Sequence, residues 1–116
     1  PLACACALAV INTLESDKLQ SRAVKMGARI LSGLEQSLTD CRTVKAIRGK
    51  GLMIGIELDR PCTELMKKAL EQRLLISIQS EKVIRLLPAL TINEDEADLI
   101  VNKVSTVIKD IEHASC

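Results

Sequence analysis

The chain has 116 residues, enough for one domain with a modest core. Its 47% hydrophobic and 27% charged content are globular values and exclude a disordered chain. A formal net charge of +1, with no run of like charge, argues against nucleic-acid or anionic-membrane partners.

The segment from Leu2 to about Leu14 is Ala-rich, apolar on every side and helical in propensity. It is too short to span a bilayer and has no basic segment before it, so neither a membrane span nor a secretory signal is expected. A helix of this kind is normally buried between layers, so the chain reads as a piece cut from something longer. Ser16 or Asp17 is the expected N-cap of a second helix. In that helix Leu19, Ala23, Met26, Ile30, Leu34 and Leu38 form one apolar stripe, opposite Lys18, Arg22, Lys25, Arg29 and Glu35.

Val44 to Arg48 is a short strand candidate, with Gly49-Lys50-Gly51 as a turn. This glycine pair lacks the spacing of a phosphate loop: Val44 stands where the first glycine belongs, and no Ser or Thr follows the lysine. Leu52 to Leu58 is the clearest strand, with Leu52, Ile54, Ile56 and Leu58 on one face and Met53, Gly55 and Glu57 on the other. Gly55 permits close approach of a ligand or another segment, or marks a bulge or tight packing. Pro61 is expected at the first position of a third helix reaching about Gln72, with Cys62, Leu65, Met66, Ala69 and Leu70 on its apolar face. Leu75–Ile78 and Val83–Leu87 then form an antiparallel hairpin around residues 79–82, stopped by Pro88. Asn93 with Glu96 is a capping box for the last helix, whose stripe runs through Ala97, Ile100, Val101, Val104, Ile108 and Ile111. The fold class is α/β of the α+β type: a small, mainly antiparallel sheet covered by helices in the order α-α-β-β-α-β-β-α.

The chemical inventory is thin. The aromatic content is 0%, so the chain offers no aromatic platform for stacking a planar cofactor. The cysteines are Cys4, Cys6, Cys41, Cys62 and Cys116. Their odd number and irregular spacing suit a reducing, cytoplasmic compartment rather than a disulfide framework. Cys4-x-Cys6 and His113-x-x-Cys116 are weak metal patterns, and residues two apart on a helix point to nearly opposite sides, so no metal site is expected. His113 is expected in solvent near the chain end, and no catalytic residue is assigned. Arg85 is the exception, a permanent cation in the apolar run Val83-Ile84-Arg85-Leu86-Leu87-Pro88. Its guanidinium calls for a planar anion, either an internal carboxylate, which the residues alone favour, or the carboxylate of a ligand.

Three segments occur in order: Pro1-Leu2-Ala3-Cys4-Ala5, then Ile47 through Leu58 with its Arg48-Gly49-Lys50-Gly51-Leu52-Met53 core, then Val83 through Pro88. Together they resemble the C-terminal small domain of the class III pyridoxal-phosphate-dependent aminotransferases, over essentially the whole chain. Three departures stand out: the Gly-Asn pair usual before the opening proline is missing, Arg73 stands where glycine is frequent, and Ala89 replaces a second proline.

The resemblance implies a fold-type I homodimer of which residues 1–116 are the C-terminal small domain, the cofactor-binding large domain being absent. It implies pyridoxal 5'-phosphate held in the parent on an upstream lysine, with no cofactor-binding residue in this chain. The substrates would be an amino acid and a 2-oxo acid. The look is closest to members that move the terminal amino group of N-acetylornithine to 2-oxoglutarate, a step of arginine biosynthesis, and Arg85 would grip a substrate carboxylate. The chain by itself would be inactive. Two other classes compete: a stand-alone amino-acid-binding or regulatory domain, and a dimerisation unit using the apolar first segment.

Overall fold

The computed structural model describes residues 1–114. The elements follow the expected order: α1 (Leu2–Ser16), α2 (Leu19–Ser37), β1 (Val44–Lys50), β2 (Met53–Leu58), α3 (Leu65–Glu71), β3 (Ser77–Gln79), β4 (Val83–Leu86) and α4 (Glu94–Ala114). The four strands form one antiparallel sheet in the order β1-β2-β4-β3. Ile54, Ile56, Ile84 and Leu86 point from its inner face onto Met26, Ile30 and Leu34 of α2 and Val101, Val104 and Ile108 of α4. This aliphatic core needs no aromatic residue, because interdigitated β-branched and leucine side chains fill the space between a sheet and two helices.

Several boundaries differ from expectation for identifiable reasons. Ser16 ends α1 instead of capping α2, its hydroxyl donating to the Thr13 carbonyl. The N-cap of α2 is Lys18, in a left-handed conformation at φ 52° and without a side-chain cap bond. β1 runs on through Gly49 and Lys50, which pair with Ile54 and Met53, so the turn is confined to Gly51–Leu52, with Gly51 at φ 58°. α3 begins at Leu65, not at Pro61, and the segment before it is tied to the β3–β4 hairpin by the Cys62 N–H donating to the Glu81 carbonyl at 2.8 Å. Only Leu65 and Ala69 of α3 are buried, and Met66 and Leu70 face out. β3 starts at Ser77, leaving Leu75 exposed beyond the pairing.

The largest departure concerns α1, which carries no buried residue even though its first charge is Glu15. Leu2, Leu8, Val10 and Ile11 are exposed, and Cys4 and Cys6 lie open on the same helix. No helix among the described residues is long and apolar enough to cross a membrane. His113 is exposed as expected, and Cys116 lies outside the described residues.

Polar ties lock the layers. The capping box forms in both directions: Glu96 N–H donates to Asn93 Oδ1 at 2.8 Å, and Asn93 N–H to Glu96 Oε2 at 3.0 Å. Arg29 of α2 makes a bidentate pair with Asp98 of α4, at 2.8 and 2.9 Å. Arg22, half-buried rather than solvated, donates to the Ile92 carbonyl at 2.9 Å through Nε and 2.6 Å through a terminal nitrogen. At the far end, Glu112 accepts the Cys41 thiol at 2.6 Å and the Arg42 N–H at 2.8 Å. Burial, and then the adjoining Glu112 carboxylate, push the Cys41 thiol up to about 11, so it is protonated and unreactive at neutral pH.

Two glycine-type positions test this account. A Cβ at Gly27 of α2 would collide with the Gly51 carbonyl, so Gly27→Ala is expected to destabilise by about 2 kcal/mol or more. Arg73 holds φ 58°, the left-handed conformation in which a side chain costs about 1 kcal/mol, so Arg73→Gly should raise stability by about that amount in urea titration. In acid the sign follows from the carboxylates. Donation by the Cys41 thiol, then by the Arg42 N–H, lowers the Glu112 pKa, and hydrogen bonding from Arg29 lowers that of Asp98. Their stabilisation is present above the unfolded value near ~4 and lost as pH falls through the folded value. Thermal midpoints should therefore stay level from about pH 8 to 5 and drop below about pH 4. Glu112→Gln should lie below the native curve at neutral pH and converge with it in acid.

Candidate functional site

The outer face of the sheet is set by strand parity. Because Ile54, Ile56, Ile84 and Leu86 point inward, the residues between them point outward. The pairings Arg48↔Gly55, Gly55↔Arg85 and Arg85↔Ser77 then place one residue from each strand in a single row, Arg48–Gly55–Arg85–Ser77. Strands lie about 4.8 Å apart, so the two arginines stand about 10 Å from each other across the glycine. Arg48, Gly55 and Arg85 of this row form the floor of an open groove of about 420 Å³, lined also by Lys50, Met53 and Val83.

The two guanidinium groups are in different electrostatic states. Arg48 donates to Glu57 Oε2 at 2.8 Å, a diagonal cross-strand pair on the same face, so its charge is balanced within the sheet. Arg85 meets no carboxylate among the described residues. Its Nε donates to the Ser77 hydroxyl at 3.3 Å, which orients the side chain without neutralising it. The internal acid favoured from the residues alone is thus not found among the described residues. With Nε turned to Ser77, the terminal nitrogens remain as a planar fork matched to a carboxylate. Lys50 adds a cation on the groove wall.

Of the sequence-assigned residues, Arg85 lies on this floor. Ser77, Arg48 and Glu57 were not singled out. No motif links them, and only the antiparallel register across four strands brings them beside Arg85. The alternation in Leu52–Leu58 did mark Gly55 and Glu57 as outward, which was the available signal. Among the described residues no group of three His, Cys, Asp or Glu side chains gathers as a metal site.

A family model for class-III aminotransferases matches residues 1–108. Acetylornithine aminotransferase 1 of Bordetella pertussis is 46% identical over 109 residues, which is 94% of this chain and 28% of that protein. An ornithine aminotransferase structure from Toxoplasma gondii, with PLP at partial occupancy in its active site, superposes with a TM-score of 0.92 at 28% identity. The match covers 98% of this chain and 28% of that one. Acetylornithine aminotransferase from Elizabethkingia anophelis superposes with a TM-score of 0.90 at 30% identity, over 95% of this chain and 30% of that one. The chain therefore spans a little over a quarter of the length of the relatives it matches.

Proposed function

Because the chain belongs to the class-III aminotransferase family, we propose that it is the C-terminal small domain of an aminotransferase and supplies the anchor for a substrate carboxylate. The observation that carries this reading is Arg85, an exposed guanidinium on the groove floor whose one side-chain hydrogen bond among the described residues goes to a hydroxyl rather than a carboxylate. A carboxylate of the amino-acid donor, and later of the 2-oxo acid acceptor, accepts two parallel hydrogen bonds from its terminal nitrogens. Fixing that end of the substrate orients the reacting amine or carbonyl, which lowers the entropic part of the barrier. Ser77 holds the fork in plane, and the Arg48–Glu57 pair adds no second free charge to compete for the anion.

The groove does not fit PLP itself. The chain has no aromatic side chain to stack on a pyridine ring, and Glu57, the carboxylate on this face, is engaged by Arg48 rather than free for a ring nitrogen. In this reading the cofactor, its lysine and the acid–base chemistry lie in the remaining part of a homodimeric parent, and these 116 residues alone have no transaminase activity. The exposed, uncharged first turns of α1 support it, since they offer a surface for that remaining part to cover. The identity of 46% to an acetylornithine aminotransferase supports N-acetylornithine as amino donor and 2-oxoglutarate as acceptor.

The test is steady-state kinetics on the full-length parent loaded with cofactor. Arg85→Ala should raise KM for both N-acetylornithine and 2-oxoglutarate by about 10- to 100-fold, the loss expected for a charge-assisted pair. Cofactor absorbance should stay intact. Ser77→Ala should give a smaller rise, because the fork survives and only its orientation is lost. Unchanged kinetics in Arg85→Ala would remove the proposed role.

A further inference from the structure

Gly55 is a glycine that the fold does not require. It lies in the middle of β2, one of the two inner strands of the sheet. Its φ is not in the left-handed range, where among the glycines only Gly51 is found. A Cβ built on Gly55 would meet just the Val83 Cγ1 at 3.6 Å, an ordinary van der Waals contact. The contrast with Gly49 is direct, since a Cβ there would press on the Met53 carbonyl oxygen at 2.9 Å. A glycine in a central strand costs backbone entropy and supplies no cross-strand packing. At position 55 no gain elsewhere in the chain offsets that cost.

We infer that Gly55 determines specificity by clearance: its missing side chain keeps the groove floor at backbone level between Arg48 and Arg85. An extended aliphatic amino acid or 2-oxo acid then lies flat across β2 with its carboxylate on Arg85 and its chain running towards the Arg48–Glu57 pair. The gap of about 10 Å between the two arginines is two strand spacings wide, enough for such a chain lying in contact with the backbone. One methyl on this floor lifts the chain by more than an ångström and breaks the alignment with the fork, whose hydrogen bonds are directional. A β-branched side chain fills the gap. The inference rests on the reading of Arg85 as carboxylate anchor, but it concerns a different residue and fails separately.

The experiment uses the full-length parent with its cofactor, assayed with N-acetylornithine and 2-oxoglutarate alongside a thermal melt. Gly55→Ala should raise KM for at least one of these substrates by about tenfold, with Gly55→Val more severe. The thermal midpoint should hold or rise, because strand propensity improves, and cofactor absorbance should be unchanged. Unaltered KM in both variants would overturn the inference. So would a lowered midpoint with loss of cofactor, which would mean that protein rather than substrate occupies the space above Gly55. If Arg85→Ala impairs the enzyme while both Gly55 variants behave normally, the anchor stands and the clearance falls. The reverse pattern would overturn both, because the placement of the substrate across β2 depends on its carboxylate at Arg85.

Discussion

The backbone contact between α2 and the β1–β2 turn governs the rest of the architecture. Gly27 presents bare backbone to the Gly51 carbonyl, and any side chain at 27 would occupy the space of that peptide group. Gly51 in turn adopts φ 58°, which lets the chain reverse within Gly51–Leu52 and sends Leu52 straight into the core. Two glycines on different elements thereby set the distance of the hairpin from the helix. That distance decides whether Ile54 and Ile56 reach Ile30 and Leu34, and so whether the sheet has an inner face at all. The groove inherits its shape from this contact, since Lys50 and Met53 line its wall at the same end of the hairpin.

Once the inner face is committed to the core, period-two alternation leaves no freedom on the outer one. Arg48, Gly55, Arg85 and Ser77 become neighbours because each is out of phase with an aliphatic residue that is in the core or packed against it. The difference between the two arginines then comes from what lies diagonally across the ladder. Arg48 finds Glu57, whereas Arg85 finds a hydroxyl. An arginine paired with a carboxylate has its charge balanced within the sheet, and one held by a hydroxyl keeps its charge uncompensated. One glutamate separates the two cases.

The connections carry more backbone strain than the elements. Lys18, Arg73, Ser80 and Glu81 all hold positive φ without being glycine, each at a reversal of the chain. The Ser80–Glu81 pair closes the β3–β4 hairpin, with Lys82 N–H on the Gln79 carbonyl at 3.2 Å. The Glu81 carbonyl also takes the Cys62 N–H, so the strained turn is pinned by the loop that precedes α3. Tertiary hydrogen bonds of this kind hold residues in conformations that local preference opposes.

The order of the eight elements, the inner stripe of α2 and α4, the capping box at Asn93 and the two faces of β2 were all legible from residue spacing. Periodicity reports which residues share a side of an element, and burial against water enforces that periodicity. Arg85 stood out for the same reason, as a permanent charge in an apolar run. Its partner was not legible, because the contrast between Ser77 and a carboxylate lies in the register of β3 on β4, and register is a relation between strands. The cover of α1 was likewise not legible: its composition predicts burial, but composition does not say in which molecule the covering surface lies. Sequence by itself determined the fold class, the core stripes and the one unusual cation. Tertiary structure alone decided that this cation meets no acid among the described residues and that a bare glycine floor lies beside it, because cross-strand neighbours are chosen by hydrogen-bond pairing between distant segments.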